Sequence, residues 1–257
     1  MVRSISLALL GLVITSANLS AQNASGAALV VGFDNSGRSV VSPDERALVK
    51  TTVAEVAHTV RTLFPTLADS INISVVIVDR DLSSVGGVAG RADAPGEVFI
   101  EISSTFPGGV VAAAQTGLSA TLFHEFHHLV RGWTIAQNQF GPGIPTAMVN
   151  EGLASVFAET YSGTSFDLFD YPGNARDWLD EIMSLPSDAD YNTWMNEHLD
   201  GRIAVGYRIG RFVVQSIFDR DYPVIMALGL IVAVAFVFTN LLVDLLYGVL
   251  DPRIRRQ

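Results

Sequence analysis

His124-Glu125-Phe126-His127-His128 is an HExxH sequence, and on a helix it sets two imidazoles one turn apart with a carboxylate beside them. That is how a zinc hydrolase holds its metal and its base. Hydrolytic zinc takes three protein ligands and keeps a fourth position open for water, and two histidines with one glutamate is a known set. Glu151, in Asn150-Glu151-Gly152-Leu153-Ala154, is the candidate third ligand. A glutamate at the front of a helix has an alternative role, as a surface residue that compensates the helix dipole. Glu125 lies too far round the helix to be an ideal ligand, and is suited to act as general base toward a zinc-activated water and then as acid toward a leaving amine. His127 could approach the face of His124, but the i, i+4 pair is the better ligand geometry, which assigns His127 to packing or to support of the ligands. Tyr207, in Gly206-Tyr207-Arg208-Ile209-Gly210, is the candidate oxyanion donor if this segment is flexible enough to bring a phenol over the site. Its other reading is a tyrosine packed at a helix start. His198 is a weaker donor candidate, and His58, on an early amphipathic helix, reads as structural or exposed.

These residues need elements to position them. Leu118, Leu122, Phe126, Leu129 and Trp133 recur at steps of three and four, the stripe by which a helix buries one side. Gly132 marks its end, and its start falls between Val110 and Ser119. Ala147 to Tyr161 reads as a second helix carrying Glu151, after a loop at Gly141-Pro142-Gly143-Ile144-Pro145. The small residues Gly152 and Ala154 allow that helix to approach the first. Upstream, the pattern predicts a strand at Leu29–Phe33, a helix at Pro43–Phe64 with Asp44 and Glu45 in its first turn, a buried strand at Ile71–Val78 and a half-exposed strand at Glu97–Ile102. Strands followed by a helical metal site make an α+β domain. An exposed strand edge there could take an extended peptide by β-augmentation.

The HEFHH segment, Asn-Glu-Gly-Leu-Ala and the later Gly-Tyr-Arg-Ile-Gly together resemble a bacterial family of predicted zinc-dependent proteases, first catalogued as a domain of unknown function. The chain looks like a member of the thermolysin-like, Glu-zincin group from roughly Leu29 to Arg211. The resemblance implies a zincin-like fold with His124, His128 and Glu151 as Zn²⁺ ligands, Glu125 as catalytic base, and a peptide or protein substrate. One departure stands out: thermolysin has an aspartate four residues after its glutamate ligand, where this chain has Ser155.

The two ends carry export and membrane signals. Residues 1–22, with Arg3, an apolar stretch from Ile5 to Ile14 and small residues near Ala21, suit a secretory signal peptide. Val224 to Val243 is nearly all apolar over about 20 positions, the length of a bilayer-spanning helix. Arg253, Arg255 and Arg256 beyond it place the C-terminus in the cytoplasm. The expected product is a single-pass membrane protein with a metalloprotease domain at 23–211 outside the cytoplasm. The lipid contact lies within 212–257. From Phe218 onward the tail resembles the last transmembrane segment of a dipeptide or oligopeptide ABC-transporter permease, in Phe218-Asp219-Arg220-Asp221-Tyr222-Pro223, Asn240-Leu241-Leu242-Val243-Asp244 and Leu250-Asp251-Pro252-Arg253-Ile254-Arg255. A lone helix cannot form a translocation path. The chain therefore reads as a mosaic.

Composition narrows the classes. A net charge of −10 and a pI near 4.8 argue against nucleic-acid binding, which neutralises phosphates with Lys and Arg. The absence of cysteine removes disulfides and thiolate ligands, leaving imidazole and carboxylate for a metal. Between the ends there is room for one catalytic domain of roughly 190 residues. Three functions fit: a membrane-tethered zinc metallopeptidase, a permease fragment or fusion, and an inactive metal-fold binding module.

Overall fold

The run Ile71–Val78 alternates buried Ile71, Ile73, Val75 and Ile77 with exposed Asn72 and Ser74, the period of a strand with one covered face. In the computed structural model it is β2, an inner strand of a four-stranded sheet. The structure describes residues 28–34, 40–138, 143–196, 198–199 and 202–219, with isolated positions 226, 230, 233, 234, 236, 237 and 240. The other strands are β1 (Leu29–Asp34), β3 (Val88–Ala94) and β4 (Glu97–Ser103), in the order β1-β2-β4-β3. β1, β2 and β4 run parallel; β3 returns antiparallel to β4 and forms an edge. Sequence pattern predicted every strand of this sheet but β3. Val88-Ala-Gly-Arg-Ala-Asp-Ala has little of the β-branched bulk that marks strands, and its pairing with β4 supplies what local propensity does not.

Helix α1 (Pro43–Leu63) begins with a capping box, in which Ser42 accepts from the Glu45 N–H and the Glu45 carboxylate accepts from the Ser42 N–H. Its Val49, Val53, Val56, Ala57 and Val60 lie on the covered face of the sheet. Beside it, α2 (Gly109–Ala113), a π-helical turn (Ala114–Leu118) and α3 (Ser119–Arg131) run on without a break, since the residues at both joins keep right-handed helical angles. Leu118, Leu122 and Phe126 are fully buried in the same core.

A second core is helical. It joins α5 (Ile144–Ser162), α6 (Ala175–Met183), α7 (Tyr191–Met195) and α8 (Val205–Phe218) through Ile144, Met148, Ile182, Met195, Val205 and Ile209. The short α4 (Ile135–Asn138) and the hairpin of β5 (His198–Leu199) and β6 (Arg202–Ile203) complete the elements. The predicted loop at 141–145 is corrected in part: Ile144 and Pro145 already belong to the first turn of α5, where proline's missing N–H costs nothing, and residues 141 and 142 lie outside the described residues.

The helices α5 and α8 cross with their backbones in contact. A Cβ on Gly152 would stand 2.2 Å from Gly210 O, and one on Gly210 would stand 2.0 Å from Met148 O. The Gly-Tyr-x-x-Gly segment is thus not a flexible hinge. Its glycines are required by packing inside α8, and a Cβ on Gly206 would likewise meet Met195 Sδ at 2.0 Å. The division expected at residues 211/212 falls inside α8, which continues to Phe218 with Val214 buried. The signal-peptide segment 1–22 lies outside the described residues, as do most positions of 224–243. Among the described residues, no helix is long and apolar enough to cross a membrane.

Candidate metal centre

The face of α3 opposite the sheet core carries His124 and His128, one turn apart. The π-helical turn before it fits closely under the neighbouring chain: a Cβ on Gly117 would stand 2.7 Å from Gly86 O. At its other end, Gly132 adopts a left-handed φ of 67°. The Gly132 N–H then donates to Leu129 O at 3.2 Å and the Trp133 N–H to His128 O at 2.9 Å, the paired bonds that close a helix and reverse the chain. The apolar period predicts Trp133 as a further member of the stripe. It lies past this reversal instead, with its indole turned toward Glu151.

Glu151 lies well inside α5 and is 4% exposed, which rules out the surface dipole-compensating role. Its Oε2 is 3.1 Å from both His124 Nε2 and His128 Nε2, and the two imidazole nitrogens are 3.0 Å apart. Among the described residues these three form the single group able to hold a metal ion. Tetrahedral zinc with bonds of about 2.0–2.1 Å spaces its ligand atoms about 3.3–3.4 Å apart, so the trio needs to open by only roughly 0.3 Å. Burial pushes the Glu151 carboxyl up, but His128 and the hydrogen bonds to both imidazoles outweigh it and hold the group far below the usual carboxylate range. An ionised carboxylate beside two imidazoles is the right donor chemistry for zinc.

Glu125 packs against β3 and lines the same cavity as the three candidate ligands. It is 5% exposed and accepts a hydrogen bond from the Ala92 backbone. Gly90 makes the space for it, since a Cβ there would stand 2.8 Å from Glu125 Cγ and 3.0 Å from its Oε1. Burial raises its carboxyl to about 7, with His124 opposing and Glu151 adding to the shift. That is the range in which a carboxylate can both take and return a proton at neutral pH. His127 does not join the ligand group. Its ring is 5.2 Å from that of Phe157 and 6.5 Å from that of Phe64, and burial, aided by His128, lowers it to about 3, so it packs as a neutral ring.

Tyr207 meets the second of its expected descriptions, a tyrosine packed at a helix start. It lies in the first turn of α8, and its ring is 6.5 Å from that of His124. Its hydroxyl donates to Glu151 and is hydrogen-bonded to that of Tyr191; burial and the Glu151 charge push both phenols up. Tyr191 carries no sequence signal, because only the docking of α7 beside α8 brings it to the site. Ser155 is buried one turn after Glu151, and its hydroxyl has no hydrogen-bond partner among the described residues. It does not supply what an aspartate would at that position. His58 is exposed on α1, as expected. His198 begins β5, but its side chain lies outside the described residues.

Two cavities flank His124, Glu125 and Tyr207. One, of about 400 Å³, opens on the three candidate ligands between β3, Trp133 and Tyr191. The other, of about 380 Å³, runs along α5 from Ser155 to Glu159 under Val85, Val88, Phe166 and Phe169. At its far end Arg211 is paired with Glu159 through three contacts of 2.8–3.0 Å, leaving this cavity apolar walls and a neutralised base.

A family model described as "Predicted Zn-dependent protease (DUF2268)" matches residues 49–236. Among curated proteins, the chain is 54% identical over 46 residues to the oligopeptide transport system permease protein AppB of Bacillus subtilis, covering 18% of this chain and 15% of that one. It is 49% identical over 49 residues to the dipeptide transport system permease protein DppB of Escherichia coli K12, covering 19% and 14%. The chain therefore spans about 15% of the length of the curated relatives it matches. No solved structure matches.

Proposed function

Since the chain belongs to the family of predicted zinc-dependent proteases, we propose that it is a zincin-like metallopeptidase, with His124, His128 and Glu151 holding one zinc ion and Glu125 acting as general base. The convergence of the three ligand atoms within 3.0–3.1 Å of one another carries this reading. With zinc bound, the site gains a Lewis acid that brings the pKa of a water toward neutrality and polarises a scissile carbonyl. Glu125 takes the proton of the attacking water and delivers it to the departing amine nitrogen. The phenol of Tyr191, and that of Tyr207 on turning its single O–H away from Glu151, supply donors to the carbonyl oxygen as it gains negative charge. The outer edge of β3, which pairs with no other strand among the described residues, aligns an extended peptide through main-chain hydrogen bonds. The apolar cavity beside Ser155 takes a large apolar side chain next to the scissile bond.

Full-length protein is expected to contain about one zinc per chain. His128→Ala and Glu151→Gln should each lower that content in metal analysis. Unchanged stoichiometry in both variants would rule out this ligand set. We further propose that the apolar run 224–243 tethers the domain to a membrane. This rests on its length and on the arginines that follow it. Reporters fused after Arg211 and after Gln257 should then report opposite sides of the bilayer, and agreement between them would remove the tether.

A further inference from the structure

The second residue past the end of α3 touches two of the three candidate ligands. Its backbone N–H is bound to His128 O at 2.9 Å, and the indole Nε1–H of the same residue, Trp133, donates to Glu151 Oε1 at 3.2 Å. The other carboxylate oxygen, Oε2, is the one that faces both imidazoles. The two oxygens of Glu151 are thereby given separate tasks. The reversal at Gly132 is what makes this possible, because a right-handed residue there would carry Trp133 onward along the helix axis, away from α5. A second link, Arg131 Nε to Asn150 Oδ1 at 3.2 Å, ties the same helix end to the residue preceding Glu151.

We infer that Trp133 is the positioning residue that makes Glu151 a one-oxygen ligand. With Oε1 occupied by the indole, the carboxylate cannot close on the metal with both oxygens, and a coordination position stays open for water and substrate. This rests on the metal-site reading above, and the test separates the two.

The measurement uses full-length protein with Trp133→Phe, and with the benzothienyl isostere of tryptophan at 133, which keeps the ring's shape but has sulfur in place of N–H. Zinc affinity is read by chelator competition. Coordination is read from the visible absorption of the cobalt-substituted protein, which weakens when a four-coordinate site gains a fifth ligand atom. Both variants should bind zinc about 10- to 100-fold more weakly and show the weaker cobalt absorption. The metal-free isostere variant should still unfold in one cooperative transition, which shows that the fold is intact. An isostere variant with wild-type zinc affinity, or with a wild-type cobalt spectrum, overturns the role given to Trp133 and leaves the ligand set intact. A wild-type protein that binds neither metal overturns both.

Discussion

Glu125→Gln should leave zinc content unchanged and lower peptide hydrolysis by about 10²- to 10⁴-fold, the usual contribution of a positioned general base. The substitution is conservative where it needs to be. The amide oxygen can still accept from the Ala92 backbone, and the space left by Gly90 fits a side chain of the same length. What is lost is the ability to accept a proton. Glu125 is not part of the group formed by His124, His128 and Glu151, so its replacement separates proton transfer from metal binding. Turnover of a mixed peptide library, measured alongside metal analysis of the same preparations, checks this. Full turnover in the variant would refute the assigned mechanism, and a wild-type protein that holds zinc but cleaves nothing would favour an inactive binding module.

The largest effect on stability is expected from Gly210→Ala. The new methyl would stand 2.0 Å from Met148 O and 3.0 Å from Gly152 N. Both are backbone atoms of α5, which cannot rotate aside as a side chain can. Relief requires the two helices to move apart, opening the second core along its length. Inserting a methyl into a filled interior typically costs 1–3 kcal/mol, and the backbone contact here puts the cost at about 3 kcal/mol or more, or roughly 6–12 °C in Tm for a domain of this size. Gly173→Ala is the control, since nothing lies within 4 Å of its added Cβ; it should stay within about 0.5 kcal/mol of wild type. Equal melting of the two variants would show that α5 and α8 do not cross in this way.

Much of this arrangement is legible in the residues alone, for reasons that are local. The i, i+4 histidines are brought together by helix geometry whatever the rest of the chain does, and the alternation of Ile71–Val78 and the proline and acids that open α1 report single elements. Glu151 is legible only in combination with the HExxH helix. What stays hidden depends on contacts distant in sequence. β3 is weak as a strand and exists through β4, yet it provides the backbone that holds Glu125. Trp133 matches the apolar period and is diverted by one glycine. Tyr191 reaches the site because α7 packs on α8. Glycines at 206 and 210 suggest mobility in a linear reading, whereas the Met195 side chain packed on the first and the α5 backbone crossing the second demand them.

His124 and His128 stand on a helix that belongs to the sheet core, while Glu151 stands on the part of α5 that helps build the helical core. A ligand that binds only the complete trio is thermodynamically linked to the junction between the cores. Zinc at 100 times its dissociation constant adds about 2.7 kcal/mol to the joined state. In the metal-free chain the same junction has an ionised acid between two imidazoles and one indole N–H. If the trio holds zinc as proposed, metal supply would set the chain's cohesion as well as its chemistry, and the metal-free chain would be the more readily cleaved.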